Sequence, residues 1–183
     1  AGFGLCVFEG LKLTRPEIGA MILALGPIQV ALFQWWRTHR RPDNFTLAAI
    51  ALALVGELFV ITSGDFARLT GGDAKGNGLV FLASLFWTAY TLGGQQFPGW
   101  SPVRYTALTS MLGCLTILLA VAAANGAGHS HAPPPAALAA HPWALLFIVF
   151  VVSFGAVLMW NMAVSKLGPL NAALFANFAP LVT

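Results

Sequence analysis

Long apolar stretches separated by short polar turns dominate this sequence. A helix that crosses a bilayer needs about 20 predominantly apolar residues. Five stretches approach or exceed that length, and shorter apolar segments stand at both ends of the chain. Period-two alternation, which a membrane β-barrel would need, is not seen. The pattern predicts seven helical segments, two of them cut short: residues 1–13, 18–36, 45–62, 79–97, 103–124, 143–164 and 170–183.

Composition agrees with a lipid environment and excludes other classes of protein. Of 183 residues, 58% are hydrophobic and 8% are charged, whereas soluble domains carry about 25% charged residues. Disorder and an ordinary cytosolic enzyme are therefore excluded. The basic residues are too few and too scattered to neutralise a run of phosphates, so no nucleic-acid partner is expected. The bilayer is the expected partner.

Side chains that could carry redox or metal chemistry are sparse. Cys6 and Cys114 lie in apolar runs and are interpreted as small buried side chains. His129, His131 and His141 share one loop, but its Pro- and Ala-rich sequence argues against a preformed metal site. We therefore expect neither a metal nor a cofactor.

Lysines and arginines beside the spans predict the orientation in the membrane. The basic turn 37–41 (RTHRR) is placed in the cytoplasm, and alternation then fixes the remaining turns. The cytoplasmic side holds Arg37, Arg40, Arg41, Arg104 and Lys166, and the outer side holds Lys12, Arg15, Arg68 and Lys75. The arginine cluster decides this orientation.

An internal repeat relates the two ends of the chain. Residues 13–28 align with residues 166–181 at a constant offset, so that Pro16 falls on Pro169 and Pro27 on Pro180. The copies are five helices apart. Because five is odd, they cross the membrane in opposite directions, which is typical of secondary transporters. A whole protein of ten helices and roughly 300 residues would follow from this arithmetic.

Four segments carry a resemblance to a known family: LKLTRPEIGAMILALGPIQVALFQWW (11–36), FTLAAIALALVGELFVITSG (45–64), GNGLVFLASLFWTAYTLGGQQF (76–97) and FGAVLMWNMAVSKLGPLNAALFANFAPLV (154–182). They resemble EamA-type members of the drug/metabolite transporter superfamily. The resemblance implies a 5+5 helix bundle, cytoplasmic termini and a central substrate cavity between the halves. Two positions depart from the family pattern. The turn 37–41 lacks the usual acidic residue, and Glu57 replaces an aliphatic one.

On this basis the expected architecture is an all-α polytopic membrane bundle with an inverted repeat, of which about seven of ten helices are present. Residues 1–63 would form the C-terminal part of the first repeat, residues 64–75 a loop, and residues 76–183 most of the second repeat without its last helix. The chain is interpreted as a piece of a longer protein, truncated at both ends.

Candidate hinges are the two mid-helix prolines of the repeat. Pro27 and Pro180 each remove a backbone N–H and free a carbonyl within a span. Such kinks would line the cavity and act as hinges for alternating access. The alternative is that proline is simply commoner in membrane helices than in soluble ones.

A polar face on the 79–97 helix is a candidate wall of the substrate pathway. Ser84, Thr88 and two further polar residues recur at helical spacing, with Trp87 and Tyr90 beside them. Interhelical hydrogen bonding and a ligand-binding surface are both open interpretations. Near the end of the chain, Trp160 and three amides extend the candidate pathway: Asn161, Asn171 and Asn177.

Uncharged amides and indoles favour a zwitterionic or polar neutral metabolite as substrate. Gln29 and Gln34 lie closer to the cytoplasmic end and are secondary candidates. Two acids, Glu9 and Glu57, fall inside apolar stretches, where a carboxyl group suggests proton coupling or a substrate contact. Snorkelling towards nearby basic residues is the alternative.

The sequence therefore predicts a secondary transporter, most simply an exporter of small metabolites such as amino acids, in the cell inner membrane. An enzyme is not expected, because no catalytic motif is present and the histidines lie outside the spans. A multispan membrane enzyme and a structural or receptor-like protein are the alternatives. The oligomeric state is left open.

Overall fold

A computed structural model describes residues 1–69, 72–128 and 140–177 of the chain, and the described residues are helical with no β-strand. Three short irregular elements accompany the α-helices: 3₁₀ helices at Phe66–Leu69 and Gly94–Gln96, and a π-helix at Phe147–Gly155. The α-helices are α1 (Gly2–Leu13), α2 (Pro16–Ala24), α3 (Gly26–Thr38), α4 (Asn44–Thr62), α5 (Ala74–Gly93), α6 (Pro102–Gly126), α7 (Pro142–Leu146), α8 (Ala156–Leu167) and α9 (Pro169–Ala176). The all-α architecture is confirmed.

Four helical stretches in the described part of the chain are long and apolar enough to cross a membrane. They are α2 with α3 over 23 residues, α4 over 19, α6 over 25, and the continuous run from α7 to α8 over 26. Helix α5 has 20 residues but a more polar sequence, and it is not among the four. The chain is a multi-pass membrane protein.

Local sequence explains where the helices begin. Prolines occupy the first position of α2, α6, α7 and α9, where the missing N–H is not needed for helical bonding. Asp43 caps α4 by accepting a 2.6 Å hydrogen bond from the backbone N–H of Thr46. Hydrogen bonds from the side chain and the backbone of Thr46 hold the pKa of Asp43 below its ordinary value. The helix start is therefore stabilised by a charged cap.

The chain forms two compact units. The first, here called the main unit, comprises residues 2–96 together with the segment from Lys166 onwards, and the second comprises residues 97–165 with Ala1. The main unit contains α1 to α5, the last two residues of α8 and all of α9, and the second contains α6, α7 and the rest of α8.

Close approach of α1 and α5 organises the main unit. A Cβ atom on Gly10 would lie 2.7 Å from Cγ2 of Val80 and 2.9 Å from the carbonyl oxygen of Gly76. A Cβ atom on Gly76 would likewise lie 2.9 Å from Cβ of Leu13. Small residues permit such contact between membrane helices, and these two glycines let the backbones meet where a larger residue would hold them apart.

Helix α9 runs antiparallel to α3. Ala173 and Leu170 of α9 pack with Val30 of α3 in one apolar cluster. Asn177, which follows α9, contacts Ala24, the last residue of α2, just before α3 begins. Since residue numbers rise along α9 as they fall along its partner, the two copies of the repeat run in opposite directions. The parity of the helix count predicted this inverted arrangement.

The second unit presents mainly apolar side chains on its surface. In α6 and in the α7–α8 run, no residue of the most apolar 18-residue stretch is buried inside the protein. Met111, Leu118, Phe150 and Met159 are all more than half exposed. Such surfaces are suited to contact with lipid.

Candidate functional site

The broken span α2–α3 is the centre of the candidate site. Helix α2 ends at Ala24, Leu25 bridges, and α3 starts at Gly26 with Pro27 in its second position. Proline has no N–H to donate to the carbonyl of Leu23, four residues earlier. The N–H of Leu25 turns instead to the carbonyl of Ile22 at 3.3 Å. The expected mid-helix proline therefore lies at the start of a new helix, because its missing donor separates the span into two halves.

The second copy of the repeat meets this break. Helix α9 begins at Pro169, the counterpart of Pro16, and ends at Ala176 after nearly the same length as α2. The side-chain Nδ2 of Asn177 lies 3.4 Å from the carbonyl oxygen of Ala24, which stands 153 residues earlier, the offset of the repeat. Equivalent positions of the two copies thus meet where both helices end. Pro180, the other predicted hinge, lies outside the described residues.

A buried hydrogen-bond cluster joins α3 to α5 beside the break. Nε2 of Gln29 donates to Oγ of Ser84 at 2.7 Å, and Oγ1 of Thr88 donates to Oε1 of Gln29 at 2.9 Å. Ser84 Oγ in turn donates to the carbonyl oxygen of Phe81. All three side chains of the cluster are buried, with Thr88 only 1% exposed. We call Gln29, Ser84 and Thr88 the polar cluster.

The polar cluster is internally satisfied in this conformation. Pairing matters because an unpaired amide costs several kcal/mol in an apolar environment, roughly 4–8 by transfer to cyclohexane. Ser84 and Thr88 were predicted either as interhelical bonding partners or as a cavity wall, and here they form interhelical bonds. As substrate contacts they stay a prediction, since a ligand would have to replace Gln29 as their partner.

Aromatic side chains lie beside the polar cluster on α5. The ring centroids of Trp87 and Tyr90 are 5.7 Å apart, and Phe3 of α1 approaches Trp87 at 5.3 Å. Both α5 rings are half-buried. They form a flat apolar surface with polar tips, which is the kind of surface that small-molecule sites use.

The remaining predicted pathway residues lie in different places. Asn161 of α8 is buried in the second unit and donates from Nδ2 to Oγ1 of Thr106 at 2.9 Å, with half-buried Trp160 preceding it. Asn171, in the first turn of α9 in the main unit, is exposed and donates to the carbonyl oxygen of Leu167. The structure thus brings Ser84, Thr88, Trp87 and Tyr90 together on one helix. Asn177 lies at the helix break.

The two intramembrane acids differ sharply. Glu9 is exposed and forms a 2.6 Å ion pair with Lys12, one turn later on α1. Glu57 of α4 is half-buried, and its Oε2 is a buried atom with no hydrogen-bond partner. A carboxylate in hydrocarbon needs compensation by a proton or a cation. Of the two acids, Glu57 therefore has the surroundings expected of a proton- or cation-binding group.

Metal ligation has no visible basis in the described chain. No group of three His, Cys, Asp or Glu side chains gathers there with metal-binding geometry. His141 is exposed at the start of α7. His129 and His131 fall outside the described residues.

Sequence reasoning underrated Gln29 and missed Thr106. Its position towards the cytoplasmic end makes Gln29 only a secondary candidate from the sequence, yet it bonds to both other members of the polar cluster. An amide two residues after a proline in an apolar span was the available signal, because it must find a partner in the bundle. Thr106, fully buried and paired with Asn161, stands one turn into α6 and offered no comparable signal.

Comparisons with known proteins agree with this architecture. The EamA-like transporter family matches residues 74–183. The chain is 32% identical over 162 residues to an uncharacterized transporter, YrdR, of Bacillus subtilis strain 168, covering 87% of this chain and 50% of that protein. It is 27% identical over 192 residues to YyaM of the same organism, an uncharacterized transporter of which 59% is covered.

An uncharacterized transporter of Archaeoglobus fulgidus is 23% identical over 177 residues, with 96% of this chain and 59% of that protein covered. No solved structure matches. The chain spans about half to three fifths of the length of the curated relatives it matches. The family match extends over more than half of the sequence, and the chain belongs to the EamA-like transporter family.

Proposed function

We propose that the full-length protein is a secondary transporter that exports small polar or amphipathic metabolites, such as amino acids, across the inner membrane. Alternating access of two inverted repeats is the proposed mechanism. The interrupted span α2–α3, packed against the antiparallel second copy of its own repeat, carries this proposal. Interrupted helices at a repeat interface form the substrate and ion sites of many secondary transporters.

A rocking mechanism needs a flexible point within a membrane span, and the break at Leu25 supplies one. Leu25 keeps helical dihedral angles, but Pro27 offers no N–H donor to the carbonyl of Leu23 at this point of the span. Asn177 of the second copy adds one 3.4 Å contact, to the carbonyl oxygen of Ala24. Bonds of this kind between membrane helices are worth about 0.6 kcal/mol on average. The two halves of the span can therefore change their relative angle at little energetic cost, with Pro27 as the hinge.

The polar and aromatic side chains near the break support a substrate without net charge. The polar cluster and Asn177 offer amides and hydroxyls, while Trp87 and Tyr90 offer ring faces. None of these side chains carries a fixed charge. A zwitterion or a polar neutral compound could exchange hydrogen bonds with them without leaving a buried ion unpaired.

Flux measured on the full-length protein in proteoliposomes tests the proposal. Vesicles loaded with labelled zwitterionic amino acids should release them faster than protein-free control vesicles, whereas labelled amphipathic cations should be released no faster than from the controls. Pro27→Ala restores the missing donor and should slow that flux by about tenfold, the equivalent of about 1.4 kcal/mol. Pro102→Ala, at the first position of α6, should leave it within about twofold. No protein-dependent flux for any class would refute the transporter proposal.

Proton coupling through Glu57 is tested in the same vesicles. Its buried, unpartnered oxygen supports the assignment. Glu57→Gln should abolish the acceleration of flux by an imposed pH gradient while preserving exchange of substrate across the membrane. Glu9→Gln is the matched control, because Glu9 is exposed and already paired with Lys12. Full pH-driven flux in the Glu57→Gln variant would exclude this coupling.

A further inference from the structure

A groove between α3 and α4 lies outside the residues that the proposed transport mechanism uses. It has a volume of about 310 Å³ and is lined by apolar side chains from both helices, with Arg41 and Pro42 at its end. On α3 it is bounded by Ala31 and Trp35, and on α4 by Leu47 and Ala51. Trp35 is 46% exposed, so the groove opens on the surface of the main unit.

Arg41 lines this groove, and two further arginines stand within four residues of it along the chain. Arg37, Arg40 and Arg41 are all exposed. None of these three arginines forms an ion pair with a carboxylate among the residues that the structure describes. The nearest acid along the chain, Asp43, directs Oδ1 to the backbone of Thr46 as the cap of α4.

From the apolar groove and its arginine end, we propose that this site binds an anionic phospholipid. One acyl chain would lie between α3 and α4, and the phosphate would be bound by Arg41 with Arg37 and Arg40 beside it. Both helices belong to stretches that are long and apolar enough to cross a membrane, which places the apolar part of the groove at the depth of the acyl chains. Arginine is the side chain best suited to phosphate, because its planar guanidinium can donate two parallel hydrogen bonds.

Charge complementarity selects an anionic lipid over a zwitterionic one. The turn carries three positive charges, and the leaflet on its predicted cytoplasmic side contains the anionic lipids. Each basic residue near such a surface contributes about 1 kcal/mol, which corresponds to about fivefold in affinity. A phosphatidylcholine headgroup would place its positively charged choline next to the arginines, and the electrostatic contribution to binding would be lost.

Native mass spectrometry of the full-length protein tests the proposal, with dioleoylphosphatidylglycerol and dioleoylphosphatidylcholine as the probes. One phosphatidylglycerol should bind at least tenfold more tightly than phosphatidylcholine. Arg41→Gln should weaken phosphatidylglycerol binding about fivefold. Arg104→Gln removes the same charge from the start of α6, where the guanidinium lies over Trp100, and should leave binding unchanged.

A second variant tests the apolar part of the site without altering charge. Ala51 is exposed in the groove, and Ala51→Phe should fill the space and abolish the preference for phosphatidylglycerol. Because Arg41 is exposed, Arg41→Gln is expected to fold, so the proposal stays testable even if the phenylalanine variant does not.

Three results would overturn the proposal. The first is equal affinity for the two lipids. The second is equal loss of binding in Arg41→Gln and Arg104→Gln, which would indicate a diffuse charge effect. The third is a folded Ala51→Phe protein that binds phosphatidylglycerol normally, which would mean that another part of the full-length protein or a second copy covers the groove. None of these results depends on transport, so the test is separate from that of the proposed function.

Discussion

Gln29 in the main unit and Asn161 in the second unit each bond to hydroxyl groups on a neighbouring helix, and their surroundings differ. Gln29 joins α3 to α5 through two hydroxyls in the main unit, next to the break in the α2–α3 span. Asn161 joins α8 to α6 through Thr106 in the second unit, where the spans expose their apolar side chains. Gln29 lies among the closely packed helices of the main unit, whereas Asn161 joins two helices whose apolar side chains are mostly exposed.

The comparison distinguishes two sources of helix association in a membrane: close backbone packing and interhelical hydrogen bonds. In lipid, apolar side chains gain little from leaving the solvent, so close backbone approach and hydrogen bonds hold helices together. The main unit uses both, through Gly10 and Gly76 and through the polar cluster. The described helices of the second unit show the hydrogen bond without comparable glycine contacts. The comparison predicts different responses to matched substitutions.

The largest expected contrast is between two glycines. Gly10→Ala places a methyl group 2.9 Å from the Gly76 carbonyl oxygen, so it should lower the free energy of unfolding by about 1–3 kcal/mol. At Gly113 of α6 a Cβ atom meets nothing closer than 3.8 Å. Gly113→Ala should therefore be neutral or stabilising by up to about 1 kcal/mol, since alanine favours helix. Unfolding midpoints of the full-length protein in detergent measure both, and equal shifts would refute the contrast.

The next effect concerns the polar cluster. Gln29→Leu removes both side-chain bonds and takes the acceptor from the buried Thr88 hydroxyl, whereas Ser84 keeps its bond to Phe81. It should therefore cost about 1–2 kcal/mol of unfolding free energy. Gln34→Leu, on the same helix and partly exposed, is the control and should change stability by less than about 0.5 kcal/mol. A double-mutant cycle of Gln29→Leu with Thr88→Val should show coupling. Additive effects would mean that the cluster does not act as a unit.

A smaller loss is expected at the corresponding contact of the second unit. Asn161→Leu should cost about 0.6 kcal/mol, the average for a side-chain bond between membrane helices. The double-mutant cycle with Thr106→Val gives the coupling free energy of this pair directly. If that coupling exceeds the coupling of Gln29 with Thr88, the second unit depends on its polar contact more than its open packing suggests.

The smallest effect belongs to the exposed ion pair of α1. Glu9→Gln should change unfolding free energy by about 0–1 kcal/mol, because both side chains are at least 60% exposed and solvent screens their attraction. The difference should shrink further at high salt. A loss well above about 1 kcal/mol would show that Glu9 faces a low-dielectric environment in the full-length protein.

Most of the helices could be predicted from the sequence because their apolar runs match the bilayer thickness. The ends of α4 and α6 lie within about two residues of the predicted boundaries. The sequence predicts the 18–36 stretch as one helix kinked at Pro27, whereas the structure divides it into α2 and α3 at Leu25, two residues before that proline. The hydrogen bonds between Gln29 and α5 also could not be predicted from the sequence pattern, since Gln29 and Ser84 lie 55 residues apart along the chain.

Apolar length, charge and the repeated prolines determined the class of this protein from sequence alone: a multi-pass helical membrane protein with two inverted copies of one motif. These features are local, and lipid imposes the same demand on every span, namely internal satisfaction of its backbone. Only the tertiary structure decided that Gln29 bonds with Ser84 and Thr88 and that Glu57 retains an unpaired oxygen. Side-chain partners depend on which helix faces meet, and that is settled by packing rather than by hydrophobic period.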